Sequence, residues 1–291
     1  MRVVVVTLAF FGALLGASEA VAATYSSSHL SRVISTARLP GGDNPQVYFV
    51  VRAGTLWSGA ADLTADGDGF YYQCSGTAEL KVGLSGKILH KGEGIFLPGE
   101  TGFTLRADAG ERPLTYLLFL LSSTPQPAIA DQQTGISIEV YRSPSTIPGL
   151  IRETSLLSLA EVPVPPRSPY DSLHQRSGAA LHYILSGFGS EFIEGRATEK
   201  HPGSISYEPR GLVYKWSNPG STPLIYLVFN VNPQNLPPVV EVEDNPVDPF
   251  SVDPHITWAI CCIGLAMILT SIVACATALG DHRQTGERRD K

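Results

Sequence analysis

The sequence predicts an all-β fold of two tandem barrels, with a signal peptide before them and one membrane-spanning helix after. Three observations carry this. The first is an internal repeat: Gly76 and Gly187, Gly92 and Gly203, and Pro98 and Pro209 each lie 111 residues apart. After a one-residue gap the match resumes at 110, with Pro113/Pro223, Tyr116/Tyr226 and Phe119/Phe229. Fixed-period matches over so long a stretch mean a duplicated unit. The second is a set of β-rich apolar runs bounded by Pro, Ser and Asn: Leu114–Leu121, Leu224–Asn230, and Leu181–Leu185 before the turn Ser186-Gly187-Phe188-Gly189. These read as buried strands and a tight hairpin. The third is Gly and Pro punctuation with almost no helical period, the mark of a barrel or sandwich.

Taken in order, residues 1–22 read as a secretory signal peptide. Arg2 precedes the apolar run Val3–Leu15, and small residues in an A-x-A pattern end at Ala22. An uncleaved anchor over Val3–Ala23 is the alternative, and it would place Glu19 in lipid at about 2 kcal/mol or more. Residues 23–127 form the first barrel and 128–238 the second. Residues 239–255 are an acidic, Pro-rich stalk without Lys or Arg, which cannot build a core and should be extended. Residues 256–279 follow: Ile256–Leu279 carries no charge over 24 residues, about 36 Å of helix against a hydrocarbon core of about 30 Å. Arg283, Arg288, Arg289 and Lys291 make residues 280–291 a basic tail, which favours the cytoplasmic side and leaves the barrels extracytoplasmic.

Composition narrows the function. Net charge is −6 and the pI about 5.6, with no basic cluster outside the tail, so nucleic acid is excluded as a partner. Three of the four cysteines, Cys261, Cys262 and Cys275, lie in the apolar run, which leaves Cys74 without an intrachain partner. The barrels therefore rest on core burial and not on disulfides. Cys74, just before the Ser75-Gly76 turn, reads as a small core hydrophobe. Expected partners are the lipid bilayer, through Ile256–Leu279, and a small organic ligand; a homodimer is left open.

The second repeat fits the spacing G-x5-P-x-G-x2-H-x3-N at Gly203, Pro209, Gly211 and Asn218, with Tyr214 in the histidine position. The first repeat keeps only Gly92 and Pro98 of it, with Phe103 in the histidine position. This motif resembles that of the cupin superfamily, and the resemblance covers roughly residues 47–121 and 162–233. It implies double-sheet barrels, here a bicupin, whose metal is usually held by three His and one Glu. Counting back from Gly187, the remaining ligand positions are His174, Arg176 and Ala180; in the first repeat they are Leu63, Ala65 and Gly69. One family ligand in four survives in the second barrel and none in the first.

The resemblance therefore implies a metal-free site, with no cofactor and no catalytic residue. Strand alternation places His182 on the same face as Ala180, so the expected ligand-binding set is His174, Arg176, His182 and Tyr214. A buried guanidinium needs a partner. With Ala180 in the glutamate position, that partner is a bound carboxylate or phosphate, or else Arg176 sits at the mouth near water or Asp171. The first barrel should be filled by Leu63, Tyr71 and Phe103 and lack a polar cavity.

Two functions follow. One is a membrane-anchored bicupin that binds a small anionic or polyhydroxy ligand in the second barrel, or serves as an interaction module. The other is a metal-dependent enzyme of dioxygenase, isomerase or aminohydrolase type, with a divalent transition metal on His174, His182 and Tyr214. Hydrolase elbows, zincin motifs, P-loops and dinucleotide fingerprints do not occur.

Overall fold

The computed structural model describes residues 31–39, 46–57, 59–107, 113–123, 129–131, 134–150 and 154–242. The signal peptide, most of the stalk, Ile256–Leu279 and the basic tail lie outside them. No helix among the described residues is long and apolar enough to cross a membrane.

The described residues form twenty strands, ten per repeat. The first ten are β1 Arg32–Arg38, β2 Tyr48–Leu56, β3 Ala60–Ala65, β4 Asp68–Ser75, β5 Ala78–Val82, β6 Ser85–Leu89, β7 Gly94–Leu97, β8 Thr101–Ala107, β9 Leu114–Ser122 and β10 Ile129–Asp131. The second ten are β11 Gly135–Arg142, β12 Ser155–Val164, β13 His174–Arg176, β14 Ala179–Ser186, β15 Gly189–Ile193, β16 Arg196–Lys200, β17 Ile205–Glu208, β18 Val213–Ser217, β19 Leu224–Pro233 and β20 Val239–Glu241.

Four sheets result. The first barrel pairs β10-β11-β2-β9-β4-β7 with β3-β8-β5-β6; the second pairs β1-β12-β19-β14-β17 with β16-β15-β18-β13-β20. The repeat is visible in the backbone as well as the sequence. Gly76 and Gly187 both take a left-handed φ (74° and 82°), and a Cβ on Gly187 would lie 2.2 Å from the carbonyl oxygen of Pro223. The register of β4 against β9 shifts between Gln73 and Ser75, and that of β14 against β19 shifts between Ile184 and Ser186, at equivalent places.

The division between residues 127 and 128 does not coincide with the barrels. The opening strands are exchanged: β1 of the first repeat pairs with β12 in the second barrel, and β11 of the second repeat pairs with β2 in the first. A second correction concerns the stalk, whose first residues, Val239–Glu241, form β20 against β13. Two β-branched residues there cover an edge that would otherwise present unpaired amides.

The two six- and five-stranded sheets pack face to face between the barrels. Phe49, Phe70 and Phe119 of one repeat meet Phe229 of the other with ring centroids 5.1, 5.5 and 6.3 Å apart. Their central strands are buried on both faces, which is why β9 and β19 read as unbroken apolar runs instead of alternating ones. The outer sheets keep one wet face, as the exposed β6 and β16 show.

Leu63, Tyr71 and Phe103 pack in the first barrel's core as expected, but the expected lack of a polar cavity does not hold: one of about 240 Å³ lies between β3 and β11, with Asp62 and Ser137 in its lining. The barrel's interior is not wholly apolar, since Arg52 and Asp66 are buried with Nη1 and Oδ1 3.9 Å apart. Cys74 is half-buried against the inter-barrel core, and burial pushes its thiol up to about 12, so it is inert packing.

Exchanged strands and a shared core leave no surface along which one barrel can open alone. The barrels should unfold in a single urea transition, and Phe229→Ala should lower its free energy by roughly 3–5 kcal/mol. Two resolved transitions, with only the second moved by that change, would contradict the exchange.

Candidate functional site

The second barrel carries its polar groups on strands of both sheets. His174 and Arg176 come from β13, His182 from β14 and Tyr214 from β18, and all four line one cavity with Asp171, Trp216, Tyr226 and Asn230. The expected set is therefore brought together. Its placement follows from pleat and register: His174 lies opposite Tyr214, and 174, 176, 180 and 182 all face inward.

The position of Arg176 differs from the expectation. It is 4% exposed, so it neither sits at the mouth nor meets Asp171, and an acid does lie beside it. That acid is Glu208, fully buried on β17, which accepts from Nε through Oε2. Glu208 is the cross-strand neighbour of Ala180, so the inward carboxylate has moved one strand over from the family position. Nη1 donates to Oδ1 of Asn230 at 2.9 Å, and Asn230 in turn donates to Ser158 at 3.2 Å. Nη2 donates to Nε2 of His182. The guanidinium also lies 4.8 Å from the centroid of the Tyr214 ring.

Glu191 and Lys200 complete the network. Oε2 of Glu191 takes the ammonium of Lys200 at 3.0 Å and the hydroxyl of Ser206 at 2.8 Å. Oε1 of Glu191 has no donor of its own. The two carboxyls are within hydrogen-bonding reach of each other, so a proton held by Glu208 supplies the missing donor. Burial drives the Glu208 carboxyl up, Arg176 opposes this and Glu191 adds to it, and it is pushed up to about 8. Burial and the Arg176 and Lys200 cations hold His182 well below the usual imidazole range, so it is neutral. Arg176 and Lys200 thus meet Glu208 and Glu191, with Asp171 a further acid along the same cavity.

At the mouth, Nδ1 of His174 lies 3.7 Å from Asp171, whose other oxygen accepts the Trp216 amide at 2.7 Å. Burial pushes Asp171 up to about 6. Trp216 and Tyr226 stack at 5.1 Å, and His182 lies 5.0 Å from Tyr226, giving the cavity aromatic walls.

The family's four ligand positions do not make a metal set here. In the family positions the Arg176 cation stands among His174, Ala180 and Tyr214, and it occupies Nε2 of His182, so the set His174, His182 and Tyr214 fails as well. His182, Glu191 and Glu208 do offer one ligand atom each, within 4.8 Å of one another. Because Nε2 of His182 accepts from Arg176, however, its proton sits on Nδ1, facing Oε1 of Glu208 at 3.3 Å. A metal on Nδ1 would force that proton onto Nε2, donor against donor. Arg176 and Lys200 already supply the charge that a divalent ion would bring.

Glu191, Lys200 and Glu208 were not legible as site residues because short strands rich in charge read as surface. The repeat could have found them. Their counterparts 111 residues earlier are Leu80, Leu89 and Leu97, all in the first barrel's core.

No protein-family model matches the chain, and a comparison with curated proteins finds no match. Among solved structures it is similar to Bacillus subtilis oxalate decarboxylase, at 14% identity over 75% of this chain and 80% of that one, with a TM-score of 0.47. A deletion mutant of the same enzyme gives 13% identity over the same shares and a TM-score of 0.48. AerE from Microcystis aeruginosa gives 15% identity over 68% of this chain and 98% of that one, with a TM-score of 0.45. Likeness at this level concerns barrel layout and does not extend to metal, substrate or activity.

Glu208 gives stability a pH signature. Its folded pKa lies above its unfolded one, so the folded state binds more protons and stability falls as pH rises through about 8. His182 acts the other way, losing stability only as pH falls below its ordinary 6.5, and Asp171 finishes near 6. Unfolding free energy should therefore drop between pH 6.5 and 8, with a slope approaching about 1.4 kcal/mol per unit. Glu208→Gln should flatten it; an unchanged slope would remove Glu208 as the titrating group.

Proposed function

We propose that the protein is a membrane-anchored, extracytoplasmic bicupin that works without a metal, its second barrel binding a small hydroxylated carboxylic acid. The observation that carries this is Arg176, a guanidinium buried in the wall of the cavity. Its guanidinium nitrogens each make one bond, and the terminal ones carry a further N–H for a ligand oxygen. The cavity encloses about 50 Å³, against roughly 30 Å³ for a water in the liquid. It takes a carboxylate and not a whole ring, so the rest of the ligand lies in the mouth. There His174, Asp171 and Tyr214 meet hydroxyls, and Trp216 and Tyr226 meet the carbon skeleton. The anchor rests on Ile256–Leu279 and the basic residues after it.

The metal-dependent alternative draws on His182, Glu191 and Glu208, and it needs the tautomer that Arg176 opposes. Elemental analysis of the purified protein separates the two readings, with substoichiometric transition metal expected. Calorimetry with lactate, tartrate and gluconate should find saturable binding of at least one at pH 7, weakening as pH passes about 8 and Glu208 ionises. Arg176→Ala should lose roughly 2–4 kcal/mol of that binding, well over tenfold. It should keep the fold, since Ala65 holds the equivalent place in the first barrel. Stoichiometric metal, or binding indifferent to Arg176, would overturn the proposal. Protease added to intact cells should degrade the barrels and spare a tag after Lys291; the reverse would overturn the orientation.

A further inference from the structure

The two barrels differ at one sheet edge. In the second, β20 closes the outer edge of β13, with Val239 opposite Arg176, Val240 opposite Gln175 and Glu241 opposite His174. In the first, the counterpart of β20 is β10, 110 residues earlier, and it pairs with β11 instead. The counterpart of β13 is β3, which among the described residues pairs only with β8. Beside the open edge of β3 lies a cavity of about 240 Å³, lined by Leu56, Leu63, Leu105, Tyr116 and Ser137. Proteins usually guard such an edge with Lys, Pro or a bulge. Here β3 reads AADLTA, and Ala60 and Ala61 leave its backbone open.

We propose that the β3 edge is a docking site for an extended segment of a basic partner protein, added as a further strand of the outer sheet. The occupant's chemistry follows from the edge. An inward side chain of the added strand would enter the cavity over three leucines, which calls for an aliphatic residue. The outward position beside Asp62 calls for Lys or Arg. Asp62 is exposed, and Oδ1 takes the Thr104 hydroxyl at 2.6 Å, which leaves Oδ2 for a cation. A second copy paired β3 to β3 would set Asp62 near Asp62, and a strand like the chain's own β10 or β20 would bring Asp131 or Glu241. Like charge disfavours both.

The test uses the full-length protein in detergent and a fluorescent acetylated hexapeptide, Lys-Val-Lys-Leu-Lys-Val. Saturable anisotropy binding is expected, with slower amide exchange across Ala60–Ala65. Binding should weaken at least tenfold in Asp62→Lys, an exposed change that leaves the fold intact, and in Ala61→Trp, which fills the cavity. A peptide with alternate amides N-methylated should not bind, because strand addition needs those donors. Absence of saturable binding overturns the proposal, as does equal binding to Asp62→Lys or to the methylated peptide. Self-association through residues 60–65 that excludes the peptide would assign the edge to a second copy and overturn it too.

Discussion

Two inner sheets whose central strands are buried on both faces are the constraint on which this chain's architecture depends. Each is completed by the opening strand of the other repeat, and Phe229 is held among aromatic rings from three strands of the opposite half. With that layer apolar and shared, the outer sheets are left to vary. The two repeats have used this freedom in opposite ways. In the first, the interior between the sheets is leucine-rich; in the second, the same places hold an ion network.

The contrast is position by position. Arg176, His182, Glu191, Lys200, Glu208 and Asn230 have as counterparts Ala65, Tyr71, Leu80, Leu89, Leu97 and Leu120, all in the first barrel's core. Buried ion networks are often no more stabilising than apolar side chains of similar volume. The first barrel shows that this backbone closes without one. The polar interior is therefore better understood as a binding device than as a stabilising one. Burial and the neighbouring Glu191 carboxyl favour the protonated form of Glu208, against the pull of Arg176.

Much of the fold was legible because Gly and Pro mark turns that must recur when a unit is duplicated. Gly76 and Gly187 take left-handed φ, and instead of closing the expected hairpin each turns the chain from an inner-sheet strand into a strand of the outer sheet. The apolar runs of β9 and β19 gave buried strands directly. The exchange of β1 and β11 was not legible, since either pairing satisfies the same alternation and only the tertiary arrangement chooses. Of the site, His174, Arg176, His182 and Tyr214 followed from motif register and strand alternation. Glu208 did not, because its inward direction depends on which strand lies beside Ala180, and no local pattern states that. The charges of Glu191 and Lys200 suggested surface, and only comparison with the leucines of the first repeat marks them as inward.

The most direct test is to import the first barrel's interior into the second: Arg176→Ala, His182→Tyr, Glu191→Leu, Lys200→Leu, Glu208→Leu and Asn230→Leu in one chain. Its unfolding free energy, measured from pH 6.5 to 8 beside that of the natural sequence, separates a binding device from a structural one. The variant should fold with comparable or greater stability, show no slope with pH, and fail to bind the carboxylic acid. A variant that does not fold, or that folds and still binds, would contradict the assignment of the network to ligand recognition.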